Sequence, residues 1–306
     1  MNISKTLIAI PLYNAEEFVE RTLDSCLNQT LPSEIWVVDN CSTDRTKDIV
    51  RKYQKDNSLI KLIVNDKNYG RVGNWNRCLD LFTESEFQYI KYVFSGDEIL
   101  PTCIEESERA FAIDDEIGVV AFPYMFINRD GSSSIARHDE CPNKLFTPKE
   151  ITYKNLAEGG LLGAIICNVY AKKAIRNFRF DEANLGKLKF DTEVLEKSKA
   201  YYLDKVLANF NLDSHNTFYT MSNFHTYLEF SEVIAKEFLR ISKTEMFSDK
   251  EKEKIQQKII INTLNDQLRF MSLRTRLCIM LSIILESVKE LLRTAKQKLK
   301  GIKNGK

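Results

Sequence analysis

The sequence predicts an α/β fold with a mostly parallel central sheet and a C-terminal helical appendage, on three observations. Over the first 125 residues, short apolar runs alternate with segments of helical period. The first four of those runs each end in hydrogen-bonding or acidic side chains. Residues 230–300, by contrast, lack glycine and proline altogether, as a group of two or three helices would.

Each element has its own reason. Thr6–Ile10 is unbroken apolar sequence ending at Pro11, as in a strand buried on both faces. Residues 15–28 then put Phe18, Val19, Thr22, Leu23, Cys26 and Leu27 on one helical face. Ile35–Val38 is followed by a helix opened at Ser42-Thr43-Asp44 and turning Ile49, Val50 and Tyr53 inward. Leu59–Val64 precedes a helix near Asn74–Phe82, and Tyr89–Phe94 precedes Pro101–Ile113, where proline suits a helix start. Ile117–Phe122 is the fifth strand. Strands and helices at this spacing imply a parallel sheet with right-handed crossovers. Residues 126–215 are less regular, and a composition shift near residue 228 separates residues 1–228 from a helical region over 229–306.

Composition excludes several classes. A net charge of +1 gives no general reason to expect nucleic acid as a partner. The seven cysteines are scattered and contain no C-x-x-C, which argues against zinc and against a disulfide framework, and for a reducing cytoplasm. No signal peptide is expected at the start, and the longest apolar run, Leu277–Leu285, is nine residues where a spanning helix needs roughly 20.

Ligands of open parallel sheets bind beyond the carboxyl ends of the strands. There the sequence places Pro11, Tyr13 and Asn14 after the first strand and Asp39 after the second. Asn68, Gly70, Asn74 and Asn76 follow the third, and Ser95, Gly96, Asp97 and Glu98 the fourth. The first loop lacks G-x-G-x-x-G, so a dinucleotide cradle is not expected, but Asp39 suits the ribose or base of a nucleoside. Asp97 and Glu98 either hold a metal or merely favour the positive end of the following helix.

IPLYNAEEFVERTLDSCLNQT, EIWVVDNCSTDRT, NYGRVGNWNRCLD and FSGDEILP, in this order, resemble the nucleotide-sugar half of family 2 glycosyltransferases of the GT-A fold. The resemblance covers residues 5–125 well and 126–215 loosely. It implies inverting transfer of a sugar from a nucleoside diphosphate, UDP by family habit, assisted by Mg²⁺ or Mn²⁺. It implies that Pro11, Tyr13, Asp39 and Asn68 line the nucleoside pocket and that Asn74 and Asn76 approach the donor, with Trp75 where many members carry arginine. FSGDEILP stands in the place of the D-x-D signature, with Ser95 for the leading aspartate and Asp97 for the second. Mg²⁺ keeps waters and phosphate oxygens and needs only one or two protein carboxylates, so Asp97 can still be a ligand. The resemblance further implies a general base near a helix start, Asp191 first and Glu193 second, with an N-cap role for Asp191 as the alternative. His215 is a second metal candidate or a turn residue.

Residues 274–306 join an apolar helical face to a basic end, Lys289–Lys306, with seven Lys or Arg and one acid. This pattern fits peripheral contact with an anionic bilayer on the cytoplasmic face, or packing on the domain or on a second subunit. The expected acceptor is a glycan or a lipid-linked oligosaccharide of surface polysaccharide synthesis. Two other readings stand beside it: a nucleotide-sugar-binding scaffold without turnover, and a nucleotidyltransferase, which would bring a glycine-rich basic first loop.

Overall fold

The computed structural model describes residues 3–136, 142–158, 162–175, 177–181, 186–215 and 224–269. The expected repeats are present: β1 (Thr6–Leu12), α1 (Val19–Leu27), β2 (Ile35–Asp39), α2 (Thr46–Asp56), β3 (Ile60–Val64), α3 (Gly70–Glu84) and β4 (Tyr89–Tyr92). A two-residue β5 (Glu98–Ile99), α4 (Cys103–Phe111), β6 (Ile117–Ala121), β7 (Tyr124–Ile127), β8 (Ser133–Ala136), β9 (Lys144–Phe146) and α5 (Pro148–Ala157) follow. A short 3-10 turn (Ile165–Cys167) leads to β10 (Asn168–Ala171), α6 (Lys172–Ile175), α7 (Gly186–Leu195), β11 (Lys199–Tyr202), β12 (Ala208–Asn211), α8 (Phe224–Ile241) and α9 (Asp249–Arg269).

The strands form an eight-stranded sheet, β3-β2-β1-β4-β10-β6-β11-β9, and a four-stranded sheet, β5-β12-β7-β8. Parallel pairing of β1 with β2 and β4, and of β2 with β3, bears out the mostly parallel core. One expectation is corrected. β6 does not lie beside β4, because β10 sits between them and runs antiparallel to both. The sheet is therefore mixed, and the third helix begins at Gly70, four residues before the helical period becomes visible.

Burial explains the sequence of β1. Ile8 and Ile10 belong to the core on the side of α1, α2 and α4, while Leu7 and Ala9 belong to the core on the other side, with Val72, Leu79 and Phe82 of α3. Both faces are covered, so the run is continuous rather than alternating. Pro11 is tolerated in this central strand because pairing with β4 ends at Ala9↔Tyr92, and the missing N–H belongs to that side. The C-terminal helices are joined to the domain by their own cluster: Ile234, Ile241, Ile255 and Ile259 pack with Leu156 and Leu188 of α5 and α7. α5 starts cleanly, with Thr147 and Glu150 forming a reciprocal capping box and Pro148 next to the cap. Among the described residues no helix is long and apolar enough to cross a membrane. The basic tail, 277–306, lies outside the described residues.

Candidate active site

The strand-end residues do converge, and some are committed to holding one another. Asn65 Nδ2 donates to Asn40 Oδ1 at 3.1 Å and to Asn74 Oδ1 at 2.8 Å, and Asn74 Nδ2 donates to the Val38 carbonyl at 3.0 Å. Asn40 Nδ2 donates to Asn68 Oδ1 at 2.8 Å, which also accepts the Gly70 N–H at 2.8 Å. This asparagine lattice ties the ends of β1 and β2 and the loop after β3 to the start of α3. Asn74 and Asn76, both expected to approach the donor, are held by protein partners. Asn74 is buried and fully used inside the lattice, and Asn76 exchanges two hydrogen bonds with the Phe180 backbone at 2.9 and 2.8 Å. Asn40 and Asn65, which no motif singles out, are the lattice's centre.

What remains open on this edge is narrower. Asp39 is fully buried, and its Oδ2 accepts the Ser42 N–H at 3.0 Å, while Oδ1 has no protein partner. Tyr13 is half exposed and follows Leu12, which pairs with Asp39, and Asn14 adopts a left-handed φ of 47° that lets Oδ1 accept the Thr43 N–H at 2.8 Å. Buried polar atoms without partners are uncommon and costly, so Asp39 Oδ1 marks a place where a ligand donor would be welcome.

The same holds, more strongly, at the turn after β4. Ser95 Oγ and Asp97 Oδ2 are both buried without partners. Asp97 Oδ1 accepts the Asn211 N–H at 3.0 Å and lies 2.9 Å from His215 Nε2. A carboxylate only accepts, so Nε2 carries the proton in this arrangement. Burial pushes the Asp97 carboxyl above the ordinary carboxylate range, opposed by His215, by the Asn211 bond and by the buried Lys91 ammonium. Lys91, in β4, is itself placed on the Ile166 and Asn168 carbonyls and over the Phe122 ring. Glu98 is drawn aside: it pairs with Asn209 in the small sheet, and its carboxylate accepts from Asn211 Nδ2 at 2.9 Å.

These residues fit a divalent cation. An orphaned carboxylate oxygen and an orphaned hydroxyl share one turn and meet an imidazole brought from beyond β12, and oxygen with nitrogen donors suits Mg²⁺ or Mn²⁺. A cation held between Asp97 and His215 would replace the Nε2 proton. Among the described residues no group of three or more His, Cys, Asp or Glu converges, so this turn offers at most two such ligands.

Asp191 lies across the sheet and differs from expectation. It is the sixth residue of α7, not its cap, and is only 2% exposed. Tyr170 Oη donates to Oδ1 at 2.8 Å, and the Lys187 ammonium, one turn back on the same helix, sits on Oδ2. Burial raises the Asp191 carboxyl above the ordinary range, with Lys187 and Tyr170 opposing, so the lowered pKa of a helix cap is not found. Glu193 faces the other way, among Lys189, Arg240, Glu237 and Glu196, and is not brought to Asp191. Gly159, Gly160 and His138 lie outside the described residues.

An α/β protein whose strand ends gather buried carboxylates belongs to the class of open-sheet folds that bind ligands at that edge. The sequence model described as Glycosyl transferase family 2 matches residues 7–177, and the chain belongs to that family. It is 27% identical over 252 residues to GalNAc(5)-diNAcBac-PP-undecaprenol beta-1,3-glucosyltransferase of Campylobacter jejuni, covering 78% of this chain and 76% of that protein. It is 25% identical over 164 residues to TuaG of Bacillus subtilis, a glycosyltransferase named for teichuronic acid biosynthesis, covering 53% of this chain and 61% of that one. The fold matches Staphylococcus aureus TarS 1-349 in complex with UDP-GlcNAc with a TM-score of 0.62 at 19% identity, over 87% of this chain and 73% of that chain. The fold is GT-A.

Proposed function

We propose that this chain is a metal-dependent inverting glycosyltransferase that moves a sugar from a nucleoside diphosphate to a hydroxyl of a glycan or lipid-linked acceptor in surface polysaccharide synthesis. A UDP-sugar is the favoured donor, since the TarS neighbour carries UDP-GlcNAc. Undecaprenol-linked and teichuronic acid acceptors are suggested by the names of the Campylobacter and Bacillus relatives.

The observation that carries the reading is that, among the buried oxygens left without a protein partner at the strand ends of one sheet, two are carboxylate oxygens, Asp39 Oδ1 and Asp97 Oδ2, and a third is the neighbouring hydroxyl, Ser95 Oγ. Asp39 Oδ1 would accept from the base or ribose of the nucleoside, with Tyr13 beside it. Asp97 and His215 would hold the cation, with Ser95 reaching it directly or through water. When bound, Mg²⁺ or Mn²⁺ supplies positive charge for the diphosphate oxygens. Asp191 would take the acceptor hydroxyl's proton at Oδ2 once Lys187 has moved off that oxygen. Contact of residues 277–306 with the inner face of an anionic bilayer belongs to the same reading and rests on that segment's pattern.

The test is a screen of nucleotide sugars for Mn²⁺-dependent donor hydrolysis, with Asp97→Asn alongside. One donor class should be consumed, and the variant should lose roughly 10²- to 10³-fold in rate, as when a preorganised charge partner is removed. Full activity in Asp97→Asn would remove the metal assignment.

A further inference from the structure

Asp97 receives its partners from a turn far away in the chain: Asn211 is 114 positions on and His215 is 118. β12 ends at Asn211, and local contacts hold the residues just beyond it: the Leu212 N–H donates to the Ile127 carbonyl at 2.9 Å, Ser214 Oγ donates to the Asn211 carbonyl at 2.9 Å, and the His215 ring stacks on Phe210. A side-chain ion pair from α1 adds a further tie to this turn. Arg21 Nη1 and Nη2 donate to Asp213 Oδ2 and Oδ1 at 3.1 and 2.9 Å, a two-pronged bond. The next residue, Thr22, binds the other side of the joint: its Oγ1 accepts the Gly96 N–H at 2.8 Å and donates to the Asp97 carbonyl at 3.0 Å. The fit is close. Gly96 has a φ of +86°, and a Cβ there would lie 2.0 Å from Ser214 Cβ and 2.9 Å from Arg21 Nη2.

We propose that Arg21 is a positioning residue, whose two-pronged bond to Asp213 latches the 212–215 turn against residues 95–97. The latch keeps the Asn211 N–H on Asp97 Oδ1 and the His215 imidazole beside that carboxylate, and so leaves Oδ2 open for a cation that Asp97 and His215 share. This deepens the metal site of the proposed function and rests on it only for the cation. The pair is 34% and 46% exposed in its two side chains, so it adds little to global stability and acts locally.

A plain charge effect predicts the opposite outcome, which makes the idea testable. Arg21 also faces Glu98 and Asp97. As a mere counter-charge it would repel Mn²⁺, so Arg21→Gln should then tighten metal binding. As a latch, its loss should weaken it. Backbone exchange of the Asn211 amide, and free Mn²⁺ followed by its EPR signal in the presence of UDP, would be measured on the full chain. Arg21→Lys and Arg21→Gln should speed Asn211 exchange about tenfold. Both should weaken Mn²⁺ binding about tenfold, as loss of a group supporting metal ligands does. The swap Arg21→Asp with Asp213→Arg should restore both. Unchanged exchange in the single variants, tighter Mn²⁺ binding, or a swap no better than the singles would overturn the latch. If the wild-type chain holds no Mn²⁺, the metal reading fails while the exchange data still decide the latch.

Discussion

The proposed donor edge and the proposed acceptor base are both made of buried carboxylates, and they differ in what each leaves unsatisfied. At Asp39 and Asp97 one oxygen accepts a backbone N–H, joined at Asp97 by the His215 ring, and the other has no partner. At Asp191 both oxygens are taken, one by Tyr170 and one by Lys187. Preorganisation by backbone leaves an open valence, whereas preorganisation by side chains closes it until one of them moves. On this proposal the donor site is built in advance, and Asp191 becomes available as a base only when something displaces Lys187.

The largest expected effect breaks the comparison outright. Asp191→Asn should lower glycosyl transfer by roughly 10²- to 10⁴-fold, the usual worth of a general base, while UDP binding measured by calorimetry is retained. A variant that keeps transfer would leave Asp191 a structural residue and favour a binding scaffold. A smaller effect tests the closed valence. Asp191 must be ionised to accept a proton, and Lys187 lowers a carboxyl that burial has raised. Lys187→Met should therefore move the acid limb of the kcat/KM profile to higher pH, by about one unit or more, and Lys187→Arg should move it less. An unmoved limb would separate Lys187 from the base. The smallest effect concerns stability at the donor edge. Gly96→Ala puts a methyl group into Ser214 at a left-handed φ and should cost about 1–3 kcal/mol in denaturant unfolding.

Much of the donor half is legible in the sequence because each strand is buried on both faces and each helix on one, which leaves clear periods. β1, β2 and β3 fall where apolar runs predict them, and β4 stops at Tyr92, two residues before the apolar run does. The turn at Ser95–Asp97 is visible as small and acidic residues interrupting that run. The rest is hidden for physical reasons. β5 has two residues and β10 four, too few to show a period, and their places depend on pairing with distant strands. Asp191 reads as a cap because an acid near a helix start has that use; only the fold reveals Tyr170 and Lys187 around it. Arg21 and Asp213 are 192 positions apart, and no local pattern joins them.

The antiparallel strand β10 carries a practical consequence for anyone who would recombine this enzyme. Because residues 168–171 run down the middle of the large sheet, between β4 and β6, the chain has no seam at residue 125 along which a donor module could be excised or exchanged. A fragment ending there would present β4 as a raw hydrogen-bonding edge and would be prone to self-association. Chimaeras aimed at new acceptor preference should instead graft loops onto an intact sheet.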